Sequence, residues 1–303
     1  MRGGLGLVAK AFVRRGVQPR NAPFLLQRCD KIRATIIGAV FASSCARGFD
    51  EGIVFGDTCG MRMARLSRDW DELAEADAFF VVLAEPGKEG GRWELDDFFL
   101  TGEREIAELL QRAQRVGRPS ARRRALDFGC GVGRLTRALA ECFDECVGVD
   151  VSAEMVRRAS ALNADRPNCS FVHNVTPDLS RFEDASFDLV ESSKVLQHLP
   201  NRQLACAYVE EFLRIAKPDG VVAFQLWTRL PFRNRLQPRR RAYAVLRALR
   251  APRALLTRLG LSPRGRGLAV PESMIRRTIE ARGGTLLLTE PDGEWGLWYL
   301  AAP

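Results

Sequence analysis

Ala125-Leu-Asp-Phe-Gly-Cys-Gly-Val-Gly-Arg-Leu-Thr136 is the stretch on which the reading of this chain turns. An apolar run ends in Asp127, glycines follow at 129, 131 and 133, and a helix-forming segment begins at once. This is the pattern of a first strand of an α/β sheet turning tightly beneath a nucleotide-like ligand. Glycine tolerates positive φ and lets a ligand approach where a Cβ would stand in the way.

The spacing narrows the ligand. The dinucleotide pattern Gly-x-Gly-x-x-Gly places its third glycine three residues after the second; here it comes two after, and position 134 is Arg. Asp150 closes the next apolar run, 21 residues after Gly129. An acid there suits a ribose diol, which NAD and S-adenosylmethionine both carry. Asp127 tilts the choice, because a pyrophosphate is repelled by a carboxylate at that place while a zwitterionic amino-acid tail bearing a sulfonium is not.

Outward from this loop, strands and helices alternate. Strands are predicted over about 124–128, Glu145–Asp150, Ser170–His173, Ser186–Glu191 and Val221–Trp227. Ser152 reads as an N-cap. A helix is predicted over about 201–216, stopped by Lys217-Pro-Asp-Gly220, and another over 271–282, ended by Gly283-Gly284. Two last strands, Thr285–Thr289 and Trp295–Ala301, flank the turn signal Glu290-Pro-Asp-Gly293. The order predicts a doubly wound, mostly parallel α/β sheet with one antiparallel strand. Upstream, a short helix is predicted from Asp69 and a longer one over Glu105–Ala113, ended by Gly117-Arg-Pro119. Trp70, Phe79, Phe80, Trp93, Phe98 and Phe99 would pack a small helical cap, or form a lid with Phe99 or Arg104 reaching the ligand.

The chain of 303 residues can bury one sizeable core. Its eight cysteines include no CxxC pair, and its two histidines lie far from Cys142 and Cys146, which argues against a zinc site or a disulfide scaffold. A reducing cytoplasm suits that usage. The net charge of +9 is unevenly held: residues 229–266 carry 12 Arg and no acid, residues 1–60 carry +5, and the remainder is −8. Basicity is therefore no general argument for nucleic-acid binding. Residues 1–63 read as a poorly ordered leader or an over-long gene start. Signal-peptide and organelle-targeting readings fit less well, given about 30 residues before the apolar patch and the acids Asp30, Asp50 and Glu51.

With these motifs in order, the chain resembles the class I S-adenosylmethionine-dependent methyltransferases. The resemblance covers about 69–303. It is strongest in Leu126–Arg134, Val147–Met155, Ser186–Pro200 and Glu211–Gly220, where Pro218-Asp219-Gly220 replaces the family's usual Pro-Gly-Gly. It implies a seven-stranded Rossmann-like methyltransferase fold over 119–303, a helical cap over 64–118 and an Arg-rich insertion, 229–266, after strand 5. It implies S-adenosylmethionine as cofactor. Asp127, Gly129 and Gly131 would line its methionine end, Asp150 would take the ribose hydroxyls, and Val151 and Met155 would pack near the adenine. Asn174 would sit near the adenine amine, with Asp178 as competitor, and Glu191 and Ser192 would face the transferring methyl. No metal is implied.

Methyl transfer is an in-line displacement and asks the protein chiefly to align the reactants and exclude water. A base is needed only for a protonated acceptor, and His198 is the candidate; His173, in strand 3, reads as structural. The end of strand 4, Glu191-Ser-Ser-Lys194, lacks the Asn/Asp-Pro-Pro-Tyr motif of methyltransferases that act on amide or base nitrogens. This lowers a nucleobase or glutamine-amide acceptor without identifying the acceptor; the expectation is a small or lipid-linked one, methylated at oxygen. The rivals are a non-catalytic binding protein of the same fold and, less favoured, a nicotinamide oxidoreductase. Arg239–Arg250 predicts a basic amphipathic helix, read as a lid over the substrate, as a peripheral contact with an anionic membrane, or as a grip on a phosphorylated or nucleic-acid substrate.

Overall fold

The computed structural model describes residues 58–303 apart from 231–237, 253–254, 257–258, 260 and 262–266. The leader expected over 1–63 lies outside the described residues except for 58–63, which belong to a helix. That helix, α1 (Thr58–Val82), begins eleven residues before the helix expected at Asp69. It is interrupted at Asp77, whose Oδ1 accepts from Phe80 N and restarts the helix, while Oδ2 accepts from Gly90 N and Gly91 N. α2 (Leu95–Arg115) also starts earlier than expected, and Gly102 lies inside it rather than before it. A Cβ at Gly102 would stand 2.6 Å from the carbonyl oxygen of Arg134, so glycine is the residue that lets α2 pack this closely.

The sheet follows: β1 (Arg124–Phe128), β2 (Glu145–Asp150), β3 (Cys169–His173), β4 (Phe187–Ser192), β5 (Ala216–Trp227), β6 (Thr285–Asp292) and β7 (Gly296–Ala302). Their spatial order is β3-β2-β1-β4-β5-β7-β6, with only β7 antiparallel to its neighbours. Between the strands run α3 (Arg134–Leu139), α4 (Ala153–Leu162), α5 (Arg202–Ile215), α6 (Pro238–Ala248) and α7 (Glu272–Ala281). Ser152 Oγ caps α4 by accepting from Met155 N, and Asn201 Oδ1 caps α5 by accepting from Leu204 N.

The strand period of two sorts side chains onto two faces. Leu126, Val147, Val190 and Val222 pack with Phe212 of α5 and Ile275 of α7. Their neighbours Ala125, Cys146, Leu189 and Ala223 pack with Ile106 and Leu109 of α2 and Leu135 of α3. Each fully buried large side chain contributes roughly 1.5–3 kcal/mol. Two turns differ from expectation. β5 already pairs at Ala216 with Phe187 and resumes at Val221 with Leu189, so Lys217–Gly220 bulges out of the strand instead of preceding it. Asp188 clamps the bulge through Lys217 Nζ at 2.9 Å. At the β6–β7 hairpin, Pro291 pairs with Leu297 and the turn shifts to 293–295. Proline is tolerated there because β6 is the sheet edge and needs fewer donors.

Candidate active site

Strand order reverses between β1 and β4, which opens a crevice at the carboxyl ends of the strands. A cavity of about 620 Å³ lies there. Its floor is the glycine loop. Gly129 N and Cys130 N donate to Val149 O at 2.7 and 3.1 Å, tying the loop to β2. Gly129 and Gly131 both have positive φ, +81° and +54°, and a Cβ would meet Val195 Cγ2 at 2.3 Å in the first case and Val82 Cγ2 at 2.5 Å in the second. The end of α1 thus seats on Gly131 and roofs the loop. α1 is fastened beyond the loop as well, because Asp71 Oδ1 accepts from Ser152 Oγ at 2.7 Å and from Glu154 N at 3.1 Å.

Asp150 accepts from Gly131 N at 2.9 Å and from Ser152 N at 2.8 Å. Burial pushes its carboxyl up to about 6, against those two backbone donors. Asp127 also faces the cavity and accepts from Thr136 Oγ1 at 2.6 Å. Burial raises its carboxyl above the ordinary range. Val151, Met155 and Asn174 continue the wall. The Asn174 amide donates to Asp178 O at 2.9 Å and to Thr176 O at 3.3 Å, so it shapes its own loop. Asp178 is not on the wall; its Oδ1 accepts from Ser180 N and Ser180 Oγ.

Glu191 and Ser192 require a correction, because neither lines the cavity. Ser192 Oγ turns back and donates to Phe128 O at 3.2 Å, joining the ends of β4 and β1. Glu191 is wholly buried beside its register partner Asp127. The wall at this end is made by the next residues, Ser193, Lys194 and Val195. Ser193 Oγ contacts Glu105 Oε1 and lies 3.0 Å from Gln225 Oε1. Burial works against the Glu105 charge, yet Arg134 at 2.7 Å, Lys194 at 3.5 Å and Ser193 together hold its carboxyl below the ordinary range. This cluster joins α2, α3 and the end of β4, and sequence reading missed it, since its members are far apart in the chain. Arg134, directly after Gly133, was the one signal.

The opposite end is apolar and aromatic. Met63, Leu66 and Trp70 of α1, His198, Leu199, and Trp227 at the end of β5 line the cavity too. The His198 ring meets Trp70 edge-on at 5.6 Å and Trp227 at 6.3 Å between centroids. His173 lies apart, exposed on the edge strand with Nε2 3.1 Å from Val151 O. The lid reading names Phe99 or Arg104, and neither lines the cavity. Phe79, Trp93, Phe98 and Phe99 pack together, while Trp70 and Phe80 reach the cavity; Phe99 lies beneath Arg137, and Arg104 is exposed.

Residues 126–224, which hold the loop, Asp150 and His198, match the family model described as "Methyltransferase domain". These residues lie in a seven-stranded sheet with flanking helices, the Rossmann-like methyltransferase fold. The domain is similar to tocopherol O-methyltransferase of Arabidopsis thaliana, 32% identical over 111 residues, which is 35% of this chain and 30% of that protein. It is similar also to a ubiquinone biosynthesis O-methyltransferase of Paracidovorax citrulli, 32% identical over 108 residues, which is 35% of this chain and 44% of that protein. The matches thus span well under two thirds of these relatives' length. In fold, the chain resembles magnesium protoporphyrin IX methyltransferase from Synechocystis, crystallised with bound SAH. The TM-score is 0.50 at 18% identity, over 80% of this chain and 99% of that one.

Proposed function

We propose that the chain is an S-adenosylmethionine-dependent methyltransferase that methylates an oxygen of a small or lipid-linked acceptor. One observation carries this reading: a single cavity runs from the glycine loop and Asp150 to the aromatic pocket around His198. The volume, of several hundred Å³ with a few convergent polar groups, is that of a ligand site. At the loop end the residues fit the cofactor. Asp150 offers its carboxylate to ribose hydroxyls, Gly129 and Gly131 line the cavity with backbone alone, and Val151 and Met155 offer an apolar slot for a base. Bound there, S-adenosylmethionine supplies a methyl group activated on a sulfonium.

This chain's residues do the rest. α1 closes over the loop through Val82 and excludes water. Trp70, Trp227 and Leu66 take the apolar body of the acceptor, and His198 takes the proton of its hydroxyl. The names of the curated relatives support an oxygen acceptor, and two of them, tocopherol and ubiquinone enzymes, support a lipid-linked one. A peripheral contact with an anionic membrane belongs to the same reading. Val245, Leu249, Leu255 and Leu259 are exposed in the basic insertion, next to Arg241, Arg247 and Arg250. A cytoplasmic, reducing location fits Cys130, Cys142, Cys146, Cys169 and Cys206, which are free.

Calorimetry with S-adenosylhomocysteine and with NADH is the first test; binding of NADH alone overturns the proposal. Release of S-adenosylhomocysteine from S-adenosylmethionine and a hydroquinone separates an enzyme from a binding protein. His198→Gln is expected to lower kcat by about 10²-fold with cofactor affinity retained; an unchanged kcat removes His198 as base. Sedimentation with anionic liposomes, lost at high salt, tests the membrane contact.

A further inference from the structure

Beneath the cavity floor lies a group that the proposed reaction does not use. Glu191 and Asp127 are register partners on adjacent parallel strands, both buried. Glu191 Oε1 and Oε2 are sealed from solvent and meet no donor group; what faces them is the Asp127 carboxyl. Two carboxylates in contact in a dry interior cannot both be charged, and a carboxylic acid facing a carboxylate satisfies both. From β1, Asp127 faces Glu191; from α3, Arg134 does; from α2, Glu105 does; and the Cys130 thiol of the glycine loop lies within range. The single cation among them, Arg134, is already ion-paired with Glu105 at 2.7 Å.

We propose that Glu191 is a positioning residue that stays protonated at neutral pH and donates its proton to Asp127, leaving one negative charge, oriented by Glu191 and Thr136, at the floor of the cofactor cavity. Burial first, and the Asp127 charge second, push the Glu191 carboxyl well above its ordinary range. This deepens the methyltransferase reading by naming what holds Asp127 toward a sulfonium-bearing ligand. The shared proton itself does not depend on that reading.

The test is infrared spectroscopy of the full chain labelled with ¹³C-carboxyl glutamate at pH 7. Of the described glutamates with displaced ionisation, Glu105, Glu154, Glu211 and Glu290 are shifted down and only Glu191 up. A labelled band from an un-ionised carboxyl is expected, and its absence overturns the proposal without any variant. Glu191→Gln keeps a donor beside Asp127 and removes the proton. The folded wild type retains a proton that the unfolded chain releases above about pH 4.5. The unfolding constant of wild type relative to Glu191→Gln should therefore rise about tenfold per pH unit above that point. Parallel pH profiles also overturn the proposal. Failure of S-adenosylhomocysteine to bind, with the labelled band present, would sink the methyltransferase reading and leave the shared proton standing.

Discussion

Among single residues, Asp150 carries the sharpest expectation. Its folded carboxyl ionises at about 6, so the ionised form that accepts ribose hydroxyls is lost as pH falls through that value. Affinity for S-adenosylhomocysteine should fall about tenfold per pH unit below 6, and Asp150→Asn should be weak and pH-independent over the same range; calorimetry from pH 4.5 to 8 reads both. The same raised value has a cost in stability. Between the ordinary aspartate range and about 6 the folded protein keeps a proton that the unfolded chain gives up, so this group's contribution declines as pH rises across that window. Asp127, Asp150 and the glycines were legible in the sequence because the loop and the strand ends flanking it make the cavity floor by local geometry. Glu191 and Ser192 were not. Their place depends on which way a strand's last side chains turn, and Ser192 turns to Phe128 O while Glu191 turns to Asp127.

At the level of elements, the two cap helices hold the surprises. Asp69 looked like a helix start because acids suit a first turn, yet α1 begins at Thr58 and buries Met63 and Leu66 against the sheet core. The true break is Asp77, whose carboxylate serves three backbone donors. Asp77→Ala should cost about 1–2 kcal/mol in urea unfolding, as the loss of a cap does. Gly102 reads as a residue ahead of α2; it lies within the helix, and Arg134 O leaves no room there for a Cβ. Gly102→Val should lower stability by about 2 kcal/mol, since the helices must separate and valine is no better than moderate in a helix. A melting temperature equal to wild type would show that α2 shifts without penalty.

Across the whole molecule, the basic insertion is tied to the cap. Tyr243 is buried and donates to Glu72 Oε1 at 2.6 Å, joining α6 to α1, while Leu268 N and Val270 N bond to Gln197 O and Trp227 O at the edge of the aromatic pocket. Tyr243→Phe removes a hydrogen bond to a carboxylate, worth about 2 kcal/mol. Faster tryptic cleavage after Arg247 or Arg250 should follow, with the sheet core intact; equal cleavage rates would show that α6 is held by packing alone.

By itself the sequence determined the sheet, its single antiparallel strand, the turn under the ligand and the two acids beside it. Period-two burial, glycine freedom and capping act within a few residues, and a single chain displays them directly. Only the tertiary structure decided that Glu191 lies under Asp127, that Glu105 and Lys194 meet Arg134, and that Trp70 and Trp227 flank His198. Each of these brings together residues from different elements. Their chemistry arises from burial and proximity, which no local pattern encodes.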